Sequence, residues 1–195
     1  MLFRSLVKRV MDLVLASIGL LLLGVATPCI AAAIYLDSPG PIFYTQDRVG
    51  KGGRRFKAYK FRSMVPDAET EEPVWAAKDD SRITGVGRFL RKTHIDEFPQ
   101  FVNILKGDMS AVGPRPERPE FVEELARDIP FFRVRHAVRP GMAGWALIKL
   151  GYAASREATL LKLQYDLYYV KHQSLWLDIV ILLKTIVDSL ALRGR

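Results

Sequence analysis

The chain has 195 residues, with 29 Lys plus Arg against 21 Asp plus Glu and a net charge of +8. That is enough length for one domain with a real core and too little for two large ones, and the positive excess favours anionic partners such as phosphates, nucleotides, nucleic acid or acidic lipid headgroups. The single cysteine, Cys29, excludes an internal disulfide, and with three scattered histidines it leaves no cluster for structural zinc.

Residues 13–36, "LVLASIGLLLLGVATPCIAAAIYL", carry no charge. As one straight helix they would measure ~36 Å and could cross a ~30 Å hydrocarbon layer. The run is too long for a signal peptide and lacks a clear small-residue cleavage site. Three features predict that it enters the membrane and returns. Pro28 removes an amide donor and frees the carbonyl of Gly24, while the hydroxyl of Thr27 can bond locally, so Thr27 and Pro28 mark the expected break. A break there leaves arms of ~22 Å and ~12 Å, each shorter than the hydrocarbon layer. Both flanks are basic, with Arg4, Lys8 and Arg9 before and Arg48, Lys51, Arg54, Arg55, Lys57, Lys60 and Arg62 after, which places both ends in the cytoplasm. A single spanning helix with a tolerated kink is the alternative.

"DSPGP" at 37–41 ends this helix. "IFYTQDRV", "GKGG" and "RRFKAYKFR" then read as two strands joined by a glycine-rich turn, a β-hairpin. "GKGG" lacks the spacing of a Walker motif, so a hairpin turn is preferred over a phosphate loop. The basic second strand is read as facing anionic headgroups rather than nucleic acid. Residues 65–82, acidic and with two prolines, read as a long, mobile loop.

"IDEFPQFVNILKG" predicts a compact helix that starts near Asp96, with Pro99 in its first turn and Gly107 as its stop. "DMSAVGPRPERPEF" reads as a proline-stiffened loop and "FVEELARDI" as a short helix. "RVRHAVRPGMAGWALIKLGYAAS" is irregular with short strands, and "REATLLKLQYDLYYVKHQ" is a helix. "LWLDIVILLKTIVDSLAL" is apolar around most of its circumference, with a thin polar stripe through Asp178, Lys184, Thr185 and Asp188. It suits a helix lying in the membrane interface, an ordinary core helix being the alternative.

Asp96 and Glu97 at a helix N-terminus stand near unpaired amides, which favours their ionised forms. An ionised carboxylate there can be a nucleophile or a magnesium ligand, or only a cap and a solvated acid. Arg91, Lys92 and His94 concentrate positive charge beside the pair, and hard oxygen ligands with guanidinium groups are what a diphosphate with Mg²⁺ requires. Arg115, held between Pro114 and Pro116, is presented on a stiff extended backbone and can grip a phosphate bidentately.

"GPIFYTQDRVGKGGRRFKAYKFRSM", "DSRITGVGRFLRKTHIDEFPQFVNILKGDMSAVGPRPERPEF", "RPGMAGWA" and "YDLYYVKHQSLWLDIVILLKT" resemble, in order, successive blocks of the bacterial sugar transferase family, the monotopic phosphoglycosyl transferases. The likeness runs from about residue 5 to residue 190. It implies transfer of a sugar phosphate from a nucleoside diphosphate sugar, usually a UDP-sugar, to polyprenyl phosphate, with release of UMP. It also implies Mg²⁺, a re-entrant helix and a catalytic Asp-Glu dyad. Carried onto this chain, Asp96 matches the nucleophile and Glu97 its partner near the metal, both being expected metal ligands, while Arg91 and Arg115 match substrate-phosphate contacts. Thr27-Pro28 stands where relatives often show Ser-Pro. "GMAGWALIKLGYAAS" departs from relatives that carry Gln after Trp-Ala and a "YGAS" step, which leaves the sugar open.

The expected architecture is α+β and monotopic. A re-entrant helix at 1–36 precedes a cytosolic catalytic region at 37–195 with interfacial helices, at the cytoplasmic face of a bacterial inner membrane. The expected partners are a UDP-sugar, polyprenyl phosphate and the bilayer, with no nucleic acid. The rival expectations are a non-catalytic membrane-surface module that binds nucleotide sugar or acidic lipid, and a transferase of the bare sugar that would release UDP.

Overall fold

In a computed structural model, residues 2–68, 80–151 and 156–191 are described. Helix α1, Leu2–Asp37, carries the apolar run. Pro28 lies inside this one helical element rather than between two, so the expected arms are not separate helices. Thr27 does bond locally, its Oγ1 donating to the carbonyl of Leu23 at 2.7 Å. Leu21, Leu22 and Val25 are exposed around this stretch, an apolar surface unsuited to water.

The rest of α1 is fastened to the body. Asp12, buried, accepts from Ser110 Oγ and from the Ala111 amide, both at 2.9 Å. Arg9 donates to the carbonyls of Ile104 and Leu105 at 2.7 and 2.8 Å, closing carbonyls that a helix end leaves open. Gly19 lies so close to the ring of Phe101 that no Cβ would fit. At the far end Asp37 Oδ2 accepts from the Val86 amide at 2.8 Å. Leu23 and Ile34, on opposite sides of Pro28, belong to one apolar cluster with Phe61 and Leu90.

The expected hairpin is present. β1, Phe43–Val49, pairs antiparallel with β2, Arg55–Phe61, in the register Phe43 to Phe61 and Val49 to Arg55. Gly52 and Gly53 take the positive φ, 66° and 78°, that the turn demands. The expected 65–82 loop is described only at its ends, where Met64 bridges to Ile83, and its middle lies outside the described residues. α2, Gly85–Lys92, is capped by Thr84, whose Oγ1 accepts from the Gly87 amide at 3.0 Å.

Two departures follow. The helix expected to start near Asp96 is instead a 3₁₀ turn, Ile95–Gln100, followed by the short α3, Phe101–Lys106, which Gly107 ends at φ 91°. His94, left-handed at φ 58°, ends the preceding segment and sets this tighter entry. The proline-stiffened loop also opens with a strand, β3, Ser110–Val112, which pairs in parallel with β4, Gly141–Ala143. α4, Pro119–Asp128, follows β3 and precedes β4, and α5, Trp145–Leu150, follows β4.

α6, Arg156–His172, and α7, Leu175–Leu190, lie where helices are expected. The polar stripe of α7 is not uniformly solvent-facing, because Asp178 is fully buried. Its Oδ2 pairs with Lys8 of α1 at 2.8 Å, and its Oδ1 accepts from the Tyr169 hydroxyl at 2.7 Å. Ala16, Ile104, Met109, Val112, Tyr169 and Ile181 form the main core, so α1 is packed among the other elements. On α7, Trp176, Ile179, Leu183, Ile186 and Val187 remain exposed at helical spacing.

Candidate active site

The 3₁₀ turn presents Asp96 and Glu97 side by side, 7% and 6% exposed. Neighbours in such a turn point ~120° apart, so the two carboxylates face different surroundings. Glu97 is gripped by cations. Arg115 Nη1 donates to Oε2 at 2.9 Å and Arg115 Nη2 to Oε1, and Lys60 Nζ donates to the same Oε1 at 2.7 Å. The carboxylate of Asp96 receives no hydrogen bond among the described residues and lines a cavity of about 470 Å³. Arg48, Lys60, Arg91, His94 and Arg115 share that wall.

The fold explains each placement. β2 carries Lys60 against the turn, and Asn103 of α3 ties strand to helix by donating to the Lys57 carbonyl at 2.7 Å and accepting from the Tyr59 amide at 3.1 Å. The Pro114-Arg115-Pro116 backbone extends from β3. Pro114 accepts from the Gly141 amide at 3.0 Å, Arg115 from Arg135 Nη2 at 2.8 Å, and Pro116 from Arg48 Nη1 at 3.0 Å. Arg135 is itself fixed by a buried ion pair to Asp166 at 2.6 Å. This stitching and the flanking prolines hold Arg115 in one pose. Arg91 donates from Nε to Ser63 Oγ at 2.9 Å, and Gly87 lets α2 lie on the Ser63 carbonyl where any Cβ would clash.

The two acids titrate apart. Burial pushes the Asp96 carboxyl up to about 6, and the neighbouring Glu97 charge pushes the same way, against Lys60, Arg91 and Arg115. For Glu97 burial also acts upward, but Arg115 and Lys60 outweigh it and hold the group well below the usual carboxylate range. The expectation that the turn keeps both acids readily ionised therefore holds for Glu97 alone. One short turn supplies little dipole, and desolvation dominates at Asp96. Burial lowers the Lys60 ammonium, with Arg115 adding to the effect and Glu97 opposing it.

Of the residues expected at the site, Asp96, Glu97, Arg91 and Arg115 meet at one cavity. Thr27 and Pro28 are not among its lining residues. Lys60, on the basic second strand, was expected to face headgroups and instead stands at the cavity wall, as does Arg48 of β1. Their only sequence signal is β-strand alternation, which places Lys60 on the face of buried Ala58. Glu117, on the same cavity, is also part of the site and has no motif of its own; Lys162, Arg135 and Arg48 hold it down at about 2 against the upward push of burial.

The donor set fits Mg²⁺. This hard cation is commonly bound by one or two carboxylates and completed by substrate phosphates and water, and Asp96 lines the cavity beside Glu97 with no hydrogen bond to its carboxylate among the described residues. No group of three or more His, Cys, Asp or Glu forms a metal cluster among the described residues, so the substrate would have to supply oxygens.

The chain resembles known proteins over most of its length. The bacterial sugar transferase family model matches residues 3–191. The chain is 49% identical over 180 residues to the UDP-N-acetylgalactosamine-undecaprenyl-phosphate N-acetylgalactosaminephosphotransferase of Aeromonas hydrophila, covering 92% of this chain and 43% of that protein. It is 42% identical over 183 residues to the UDP-glucose:undecaprenyl-phosphate glucose-1-phosphate transferase of Escherichia coli (strain K12), covering 93% of this chain and 39% of the relative. The chain thus spans less than half the length of these two. With the exopolysaccharide production protein PSS of Rhizobium leguminosarum bv. phaseoli it shares 39% identity over 197 residues, 96% of each chain. The dyad, its two cations and its cavity stand within the matched residues, and the chain belongs to the bacterial sugar transferase family.

Proposed function

We propose that the chain transfers a sugar-1-phosphate from a UDP-sugar to polyprenyl phosphate, releasing UMP, at the cytoplasmic face of a bacterial inner membrane, as a first step of exopolysaccharide or glycoconjugate assembly. The observation that carries this is the asymmetry of the dyad. Glu97 is committed to Arg115 and Lys60, while Asp96 is buried, accepts no hydrogen bond among the described residues and lines a cavity walled with cations.

Such a carboxylate is a poorly solvated nucleophile, and an in-line attack by an Asp96 oxygen on the sugar-bearing phosphorus breaks that phosphorus–bridging-oxygen bond. UMP leaves with the bridging oxygen, and the phosphosugar remains on Asp96 as an acyl phosphate. An oxygen of polyprenyl phosphate then attacks the same phosphorus, the bond to Asp96 breaks, and the carboxylate returns. Arg115, Lys60 and Arg91 stabilise the charge that collects on the phosphoryl oxygens in both steps. Glu97 keeps Arg115 and Lys60 in place. Asp96 and Glu97 would hold Mg²⁺, which when bound neutralises diphosphate charge. Taking the phosphosugar onto the protein lets an aqueous donor and a bilayer-dissolved acceptor use one small site in turn.

The re-entrant reading of α1 draws support from its fastenings. Asp12 and Asp37 join the same body on either side of the exposed apolar stretch, and Leu23 and Ile34 share one cluster across Pro28. A panel of UDP-sugars assayed with Mg²⁺ and undecaprenyl phosphate tests the reaction. UMP release with at least one donor is expected. Release of UDP would mean that the bare sugar moves, and release of neither would leave a binding module.

A further inference from the structure

A second cavity of about 230 Å³ adjoins the first, lined by His94, Leu147, Ile148, Gly151, Lys184 and Asp188 among others. His94, Leu147 and Gly151 line both, so the two spaces adjoin at His94, next to the turn that carries Asp96. The second cavity opens on α7, the helix whose outer face exposes Trp176, Leu183 and Val187. Lys184 stands at its edge, exposed and in no ion pair among the described residues.

We infer that this cavity is the entrance for the acceptor, a lipid phosphate with an isoprenoid tail, separate from the route of the nucleotide donor. The inference rests on the proposed reaction. The acceptor's tail must stay in an apolar medium while its phosphate reaches the attacked phosphorus beside Asp96. The α7 face supplies an apolar flank, Lys184 a cation within the last turns of that helix, and Leu147 and Ile148 an apolar wall inward from it. Asp188 is the acidic member of the lining, and it disfavours an anion resting there. The cavity is therefore a passage in which Lys184 draws the phosphate in and Lys60, Arg91 and Arg115 receive it. Relatives named for undecaprenyl phosphate are consistent with such an occupant.

The test separates the half-reactions in nanodiscs. Without lipid, the UMP burst with UDP-sugar reports the donor step, and titration of undecaprenyl phosphate reports the acceptor step. Lys184→Gln removes one charge-assisted contact, so KM for undecaprenyl phosphate should rise about tenfold while the burst is unchanged. Lys184→Arg should restore KM to within about twofold. Ile148→Trp, at a residue that lines the passage and not the first cavity, should raise the same KM. An unaltered lipid KM in Lys184→Gln, or a burst reduced as much as lipid transfer in either Lys184→Gln or Ile148→Trp, overturns the inference. If the wild type gives no burst, the covalent reading fails independently. A photoreactive polyprenyl phosphate then decides the entrance, labelling of the α7 peptide around Lys184 supporting it and its absence refuting it.

Discussion

Asp96 works against the fold that holds it. In the unfolded chain its carboxyl titrates near 3.8, and in the folded protein it is pushed up to about 6 by burial and by Glu97. A carboxylate whose folded value is raised contributes stability only while protonated, and that contribution is lost as pH rises through about 6. At pH 8 the penalty is about 3 kcal/mol, at 1.36 kcal/mol per tenfold change in proton affinity. Asp96→Asn keeps the shape and carries no charge, so it should stabilise the protein by about 1–3 kcal/mol, the lower part of the range allowing for water in the cavity. For a chain of this size that is a rise in Tm of roughly 3–10 °C. The gain should shrink to under ~1 kcal/mol at pH 4, where folded Asp96 is almost wholly protonated and the unfolded carboxyl, close to its value of 3.8, is only about half ionised. The assay is thermal unfolding in detergent with a chelator present, followed by circular dichroism at pH 8 and pH 4. A variant no more stable than wild type at pH 8, or equally stabilised at both pH values, would refute the reasoning.

Glu117 carries the opposite sign. With its folded value near 2 against 4.5 unfolded, it should lend about 3 kcal/mol above pH 4.5 and lose this between 4.5 and 2, so Glu117→Gln should lower Tm at pH 7 and flatten the acid limb of the stability profile. Gly87→Ala should cost about 2 kcal/mol or more, since its Cβ meets the Ser63 backbone, and should displace Arg91; Tm and KM for the donor report the two effects separately. Cysteines at residues 3 and 51 in a Cys29→Ser background should be labelled from the same side of the membrane, and opposite accessibility would mean that α1 spans it.

What could be read before the fold was known divides by the range of the interactions. The hairpin was legible because Gly52 and Gly53 meet a local demand for positive φ. α6 was legible from apolar spacing, α7 from its apolar circumference, and the dyad from its setting among Arg91, His94 and Pro99. The 3₁₀ entry was hidden because it depends on His94 taking a left-handed conformation that side chains seldom adopt. A short strand was expected in the region of β4, but β3 and its parallel pairing with β4 were hidden, because strands of three residues paired about thirty positions apart leave almost no periodic trace. Asp178 looked like a solvated position because its partners, Lys8 and Val112-bound Tyr169, come from other elements. The role of Lys60 was masked for the same reason. A basic strand beside a membrane helix predicts headgroups, and only the packing of β2 on the turn brings that ammonium to Glu97.

The central claim is that Asp96 itself takes the phosphosugar. Wild-type protein incubated with Mg²⁺ and a sugar-labelled UDP-sugar, with polyprenyl phosphate left out, is digested and its peptides weighed by mass spectrometry. A phosphosugar adduct on the peptide that contains Asp96 is expected, with UMP in equal amount, discharge of the adduct when undecaprenyl phosphate is added, and no adduct in Asp96→Asn. Absence of the adduct in a preparation that binds donor and turns over once lipid is supplied, with kinetics requiring both substrates together, would contradict it.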